Sequence, residues 1–243
     1  MRTEPSHELA TLENLLRAQW LRLRDWVDER DLALEQAPSV LPGWTVAELV
    51  AHLGMAMGAL TRAQPGPPDA DPLTFAAYVT TYPSTADDIA ERTRALAAET
   101  RDGPLPAVEG MVADALAQLQ VLRDLGADPV VAARRGPVRL STLVLTRLLE
   151  LVVHGDDLAR SVGGTVPGTL GPLEPGAVEV VAEALREALV ETGGPDLEVA
   201  DALAWMRLAC GRAPATPDAG DAALRPRHLG DGLPEVAGLL PLL

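Results

Sequence analysis

The sequence predicts a mainly α protein, with a helical bundle followed by a small, largely helical α/β segment. Apolar residues recur at intervals of three and four through most of the first 163 residues, the pattern of helices that bury one face. Stretches rich in proline and glycine separate these runs. Beyond the last run, only DLEV at 196–199 has the composition of a strand. We expect a bundle over 1–163, a linker over 164–172 and a small C-terminal domain over 173–243.

Composition indicates a globular protein of the cell interior. The chain has 243 residues, 47% of them hydrophobic, and a mean hydropathy of +0.10, which suffices for a sizeable core. No apolar run approaches the ~20 residues of a membrane span, and the amino terminus has acidic residues where a signal peptide needs a basic start and an apolar core. The formal charge of −15 disfavours nucleic acid and anionic membranes, and the single cysteine fits a reducing compartment. We expect a cytoplasmic monomer or homodimer that acts on a small molecule.

The predicted bundle has four strongly apolar helices and one more polar helix. We expect helices over 7–36, 45–62, 84–101, 105–125 and 141–163, a short helix carrying Phe75 and Tyr78, an extended stretch near Val130, and C-terminal helices over 177–192 and 200–210. Thr45 and Glu48 match a capping box, in which each side chain bonds the backbone N–H of the other residue. Glu48 also lies one turn before His52 and could be a metal ligand, but capping explains it without any role in a site.

The segment from Leu140 to Gly164 combines an almost continuous apolar surface with charged side chains. Apolar residues surround it on nearly all sides, so the helix is expected to be buried. Arg147, Glu150, His154 and Asp157 follow one another at spacings of three and four, which places them on one face. A buried carboxylate and imidazole are costly unless they pair with each other, with a cation or with a metal.

A second histidine changes the interpretation of this face. Glu150 and His154 alone are also consistent with a satisfied core hydrogen bond. His52, however, lies in an equally apolar helix, GWTVAELVAHLGMAMGAL. Two histidines and one glutamate from separate buried helices can supply three ligands to a divalent metal such as zinc. Such a site keeps a fourth position open, which is typical of catalytic rather than structural zinc.

Two stretches of the bundle resemble the motifs of a known family. The first is SVLPGWTV at 39–46 followed by VAHL at 50–53, and the second is RGPVRL at 135–140 followed by TRLLELVVHGDDL at 146–158. They are similar to the motifs of the mycothiol-dependent maleylpyruvate isomerase family, which belongs to the DinB-like four-helix metal proteins of actinobacteria. This resemblance implies a DinB-like four-helix bundle and mycothiol as a thiol cosubstrate. It also implies a metal held by His52, Glu150 and His154.

The tail resembles the sterol-carrier-like domain that often follows this bundle. The similarity is carried by WMRLACGR at 205–212 and by the terminal LLPLL. The segment from Leu170 onward is shorter than such a domain. No single position matches a thiol-binding arginine, and Arg212, Arg225 and Arg227 are all candidates.

The residues around the expected metal leave several roles open. Arg147 can orient Glu150, meet an anionic substrate or form a plain buried salt bridge. Asp157 can hold the imidazole of His154 or face solvent near the helix end. A divalent metal keeps a coordinating thiol deprotonated, which supplies a nucleophile for isomerisation or thiol transfer. The alternatives are a metal-dependent hydrolase or lyase without thiol, and a non-catalytic protein that binds a small molecule or lipid.

Overall fold

The structure is a computed structural model that describes residues 8–67, 69–82, 86–163, 171–227 and 236–243. Most of the predicted linker over 164–172 lies outside these ranges. The described residues form helices joined by short strands, so the prediction of a mainly α fold with a small α/β C-terminal part is confirmed. None of the helices in the described ranges is long and apolar enough to cross a membrane.

The helices follow the predicted order along the chain. They are α1 (Leu9–Asp28), α2 (Val46–Thr61), α3 (Phe75–Val79), α4 (Ala86–Glu99), α5 (Pro104–Arg123), α6 (Leu140–Ser161), α7 (Pro175–Glu191), α8 (Ala202–Ala209) and α9 (Pro217–Ala223). The strands are β1 (Gln64–Pro65), β2 (Val130–Ala133), β3 (Gly136–Arg139), β4 (Leu197–Val199) and β5 (Leu224–Pro226).

The first helix is shorter than its apolar pattern predicts. We expected one helix as far as residue 36, but α1 ends at Asp28 and a separate 3₁₀ turn covers Leu32–Leu34. Between them, Asp31 adopts a left-handed conformation with φ of 51°, which interrupts the helical hydrogen-bond ladder. The interruption turns the chain toward the N-terminus of α2.

The helix that carries the candidate site begins one residue earlier than expected and is capped from outside. We expected the helix to start at Ser141, but α6 begins at Leu140. The carboxylate of Asp128 accepts bonds from the backbone N–H of Ser141 at 2.8 Å and from its hydroxyl at 2.7 Å. A side chain from the preceding connection therefore satisfies an N–H at the start of α6.

The bundle is built around α2 and α6. Helix α2 packs against α5, α6 and α4, and α6 also packs against α1. Gly54 permits the close approach of α2 and α5, because a Cβ at this position would lie 2.9 Å from Met111 Sδ and 3.3 Å from the Cα of Val108. The predicted burial of α6 is confirmed, since apolar residues on all its sides are buried. His52 and Glu150 therefore sit on neighbouring core helices.

Two small antiparallel sheets complete the fold. Strands β2 and β3 form a hairpin with Val131 opposite Val138, and β1 pairs with the other edge of β2. The second sheet pairs β4 with β5. Strand β4 confirms the prediction of a strand at 196–199. Strand β5 and helix α9 are not among the elements predicted from the sequence, because they depend on pairing and packing with other parts of the segment.

The C-terminal segment packs directly on the bundle. Helix α7 contacts α1, α3 and α6, and α8 packs on α7. Trp205 of α8 is fully buried, and its indole N–H donates to the carbonyl of Ala182 in α7 at 3.0 Å. The apolar side chains of the segment join the same core cluster as those of the bundle. Its likeness to a sterol-carrier domain stays a prediction.

Candidate metal centre

The three side chains predicted as metal ligands come together between α2 and α6. His52 projects from α2, and Glu150 and His154 project from successive turns of α6. One donor atom from each of the three lies within 4.8 Å of the other two. Among the described residues, no other group of three or more histidine, cysteine and carboxylate side chains is placed so that it could hold a metal ion.

One carboxylate oxygen is the centre of the cluster. Glu150 Oε2 lies 3.3 Å from His52 Nε2 and 3.4 Å from His154 Nε2. The imidazole rings are nearly perpendicular, with centroids 4.6 Å apart. The rings of Trp44 and His52 also pack edge to face, with centroids 5.2 Å apart, which limits the space beside His52. Both Nε2 atoms thus point at the same oxygen from different directions.

These distances are compatible with a cation shared by the three side chains. Charge-assisted N–H to carboxylate bonds are typically about 2.7–2.9 Å long, which is shorter than either contact. Two donor atoms that each lie about 2.1 Å from one zinc ion in tetrahedral geometry are about 3.4 Å apart. The donor set of two imidazoles and one carboxylate also suits a divalent transition metal. The residues therefore fit the metal that the sequence predicts.

Each histidine is held through its other ring nitrogen. His52 Nδ1 lies 3.2 Å from the hydroxyl of Thr93 on α4. His154 Nδ1 lies 3.1 Å from Asp157 Oδ2, one turn further along α6. A partner of this kind fixes the ring orientation and leaves Nε2 for a metal. Of the two roles considered for Asp157, the structure therefore gives the contact with His154, and the side chain is fully buried.

Arg212 joins this group from the C-terminal segment. Its Nε and Nη2 atoms lie 3.2 Å from the carboxylate of Asp157. The neighbouring Asp156 binds Arg207 of α8 in the same manner, at 2.6 and 2.9 Å. The other two candidate arginines lie away from the cluster, since Arg225 pairs with Glu198 and Arg227 pairs with Asp196.

Arg147 is buried beside the cluster and occupied by several partners. It donates to the carbonyl of Ala56 at 2.8 Å and to the hydroxyl of Tyr82 at 2.9 Å. Its Nη2 lies 3.9 Å from Glu150 Oε1, the oxygen that does not face the histidines. The position favours a role in orienting and charge-balancing Glu150.

Burial and nearby charges set the protonation of the cluster. Burial alone raises the pKa of Glu150, but its close contacts with His154 and His52 and the charge of Arg147 outweigh this effect, and the pKa lies well below its usual range. Burial lowers the pKa of His52. For His154 the effect of burial is outweighed by Asp157 and Glu150, so the pKa is raised. The same two carboxylates that favour a proton on His154 also favour a metal cation there.

Glu48 and the single cysteine, Cys210, lie outside the cluster of ligands. Glu48 Oε2 accepts from the Thr45 N–H at 2.7 Å, and the Glu48 N–H donates to Thr45 Oγ1 at 3.1 Å, which confirms the capping box. Cys210 is buried, and burial raises the pKa of its thiol to about 12. A thiol in this state is not a nucleophile at neutral pH.

Thr93 and Tyr82 lie beside the cluster, although no sequence pattern predicts a role for either residue. Thr93 belongs to the polar helix α4, and a single buried threonine leaves no mark on the pattern of an exposed amphipathic helix. Tyr82 follows α3 in a short connection that carries no motif. Only the Pro83 bond next to it marks a turn in the sequence. Nothing in the sequence pairs either residue with His52 or Arg147.

Comparison with known proteins supports the resemblance. The family model described as "Mycothiol maleylpyruvate isomerase N-terminal domain" matches residues 16–159, well over half of the chain. A solved structure, "Crystal structure of the mycothiol-dependent maleylpyruvate isomerase", aligns with a TM-score of 0.53 over 80% of this chain and 76% of that chain. The identity is 18%, so this likeness shows the fold alone. A comparison with curated proteins finds no match. The match over 16–159 shows that the chain belongs to the mycothiol maleylpyruvate isomerase N-terminal domain family.

Proposed function

We propose that the chain is a divalent-metal-dependent enzyme that uses a low-molecular-weight thiol, mycothiol. It would either isomerise a small organic substrate or transfer the thiol to it. The observation that carries this proposal is the meeting of His52 Nε2 and His154 Nε2 on one oxygen of Glu150. The spacing suits three ligands of one ion in a chain of this family.

His52, Glu150 and His154 would hold the ion. The metal, when bound, supplies the positive charge that keeps a thiol deprotonated at neutral pH. The protein residues set the conditions for this chemistry. Thr93 and Asp157 orient the two imidazoles, and burial of the cluster strengthens every charge interaction within it.

The cluster keeps some contact with solvent. The side chains of Glu150 and His154 keep 14% and 12% of their surface exposed, whereas that of His52 keeps 7%. A small molecule would therefore reach the cluster through the exposed parts of Glu150 and His154.

Arg212 is the best candidate for the thiol-binding arginine. It contacts Asp157 beside the cluster, and its side chain keeps 22% exposure, so part of the guanidinium remains reachable. Arg225 is mostly exposed and pairs with Glu198 on the small sheet. Arg147 already donates hydrogen bonds to Ala56 and Tyr82 within the protein. It is therefore a better candidate for positioning Glu150 than for contacting the substrate.

The test combines metal loading with thiol binding. We expect the Zn²⁺-loaded protein to melt at a higher temperature in the presence of mycothiol. S-methylated mycothiol serves as the matched ligand, because it cannot form a thiolate, and it should give little or no shift. His154→Ala protein treated in the same way should show no mycothiol-dependent shift.

Other outcomes separate the alternatives. A wild-type protein that binds zinc but shifts equally with both ligands, or with neither, contradicts the use of a thiolate. Ester or amide hydrolysis by such a protein would then favour the metal-dependent hydrolase. A protein that binds no divalent metal at all contradicts the enzyme proposal itself.

A further inference from the structure

The hydroxyl of Thr93 lies where it can decide which nitrogen of His52 is free. Thr93 is fully buried on α4, the most polar helix of the bundle, and faces α2 across their interface. Its Oγ1 lies 3.2 Å from His52 Nδ1 and 2.9 Å from the carbonyl of Ile89, one turn earlier in α4. A sulfur contact to Met55 is longer, at 3.9 Å.

A hydroxyl has one hydrogen to donate and two lone pairs with which to accept. The carbonyl of Ile89 can only accept, so a bond between it and Thr93 uses the hydroxyl hydrogen. Thr93 Oγ1 then faces His52 with a lone pair. The imidazole consequently carries its proton on Nδ1, and Nε2 presents a lone pair toward Glu150.

We propose that Thr93 is a positioning residue that holds His52 in the Nδ1–H tautomer and so presents Nε2 to a divalent metal. This inference rests on the metal site of the proposed function. It adds α4 to the helices that build the site. The two histidines of the centre are thus held differently, His154 by a carboxylate and His52 by a neutral hydroxyl.

The alternative arrangement does not allow metal binding. If Thr93 donated to Nδ1, His52 would carry its proton on Nε2, facing Glu150 Oε2. The contact between Nε2 and that oxygen is 3.3 Å, longer than the roughly 2.7–2.9 Å expected of an N–H group donating to a buried carboxylate. The geometry therefore favours an Nε2 atom without a proton.

The experiment measures zinc affinity by competition with a chromophoric chelator. Thr93→Val keeps the shape of the side chain and removes the hydroxyl, and should weaken Zn²⁺ binding by about 10–100-fold, the range for loss of such partners. Thr93→Ser restores the hydroxyl and should bind within about threefold of wild type, whereas valine-like affinity in this variant overturns the proposal.

Thr100→Val is the matched control. Thr100 lies just beyond the end of the same helix and makes the same bond to a carbonyl four residues earlier, at 2.8 Å from Leu96. It is not one of the side chains that contact the histidine cluster. Its replacement should leave zinc affinity unchanged, and an effect equal to that of Thr93→Val would show that a general loss of helix stability is responsible.

A second measurement does not need the valine variant to fold. In zinc-loaded, ¹⁵N-histidine-labelled wild-type protein, the nitrogen chemical shifts of His52 should show Nε2 coordinated and Nδ1 protonated. Coordination through Nδ1 overturns the proposal, as does a Thr93→Val protein that binds zinc as tightly as wild type. If wild type itself binds no zinc, the metal site fails and this inference fails with it.

Discussion

Arg212, in the C-terminal segment, contacts the carboxylate of Asp157 on α6 at 3.2 Å, although 55 residues separate them in sequence. The same carboxylate contacts Nδ1 of His154 at 3.1 Å. Asp157 therefore contacts both the C-terminal segment and His154, a candidate metal ligand. The adjacent pair of Asp156 and Arg207 fastens α8 to the same turn of α6.

Asp157→Asn should weaken divalent metal binding by about tenfold. The amide oxygen can still accept from His154, but without charge it holds the imidazole less firmly and favours the cation less. Zinc affinity measured by chelator competition tests this. An unchanged affinity would mean that Asp157 serves only to dock the C-terminal segment.

Arg212→Ala should lower the free energy of unfolding by about 1–3 kcal/mol. Asp157 is fully buried and would lose its closest cation, while Arg160, 3.8 Å away, compensates in part. Urea unfolding followed by circular dichroism measures the change.

The control for this variant is Arg225→Ala. Arg225 pairs with Glu198 at the surface, where both side chains are well exposed. Loss of such a pair should cost at most about 0.5 kcal/mol. Equal decreases in the free energy of unfolding of the two variants would contradict the view that the buried pair of Arg212 and Asp157 stabilises the packing of the C-terminal segment on α6.

Glu48→Gln should leave the metal content unchanged. Glu48 is engaged in the capping box at the start of α2, and glutamine also serves at this position. Thr45→Ala, which removes the other half of the box, should cost about 1 kcal/mol of stability, again without loss of metal. Metal analysis of purified Glu48→Gln protein checks the assignment. Loss of metal would show that Glu48 is a ligand.

His154→Ala should abolish metal binding and leave the bundle folded. The core that surrounds α6 extends through the whole bundle, and a core of this size does not depend on a metal as a zinc finger does. Stability should fall by a few kcal/mol at most, the range for breaking a buried polar network. Circular dichroism with metal analysis decides the matter. If the helical signal disappears together with the metal, the site is structural.

The sequence predicts the ligand positions well, because each lies in a strong helical pattern. Charged residues inside an apolar run stand out, and spacings of three and four fix their shared face on α6 without any tertiary information. The capping box at Thr45 is equally local. The order of the helices could be predicted for the same reason, since each buries an apolar face of its own.

The partners of these ligands could not be predicted, since they depend on contacts between distant segments. Thr93 is one of several polar residues in α4, and only the packing of α4 on α2 distinguishes it. Arg212, Arg225 and Arg227 are equivalent candidates in the sequence, and only the contact with Asp157 distinguishes Arg212. Strand β5 could not be predicted, because its three residues (Leu224–Pro226) form a strand only by pairing with β4.

The most direct test of the metal centre is an anomalous difference map from crystals of the zinc-loaded protein, recorded on both sides of the zinc absorption edge. We predict one strong peak bounded by His52 Nε2, Glu150 Oε2 and His154 Nε2, and its absence in His154→Ala crystals treated in the same way. A map without a peak there, or with zinc bound elsewhere while the three side chains bond only to one another, would contradict the account.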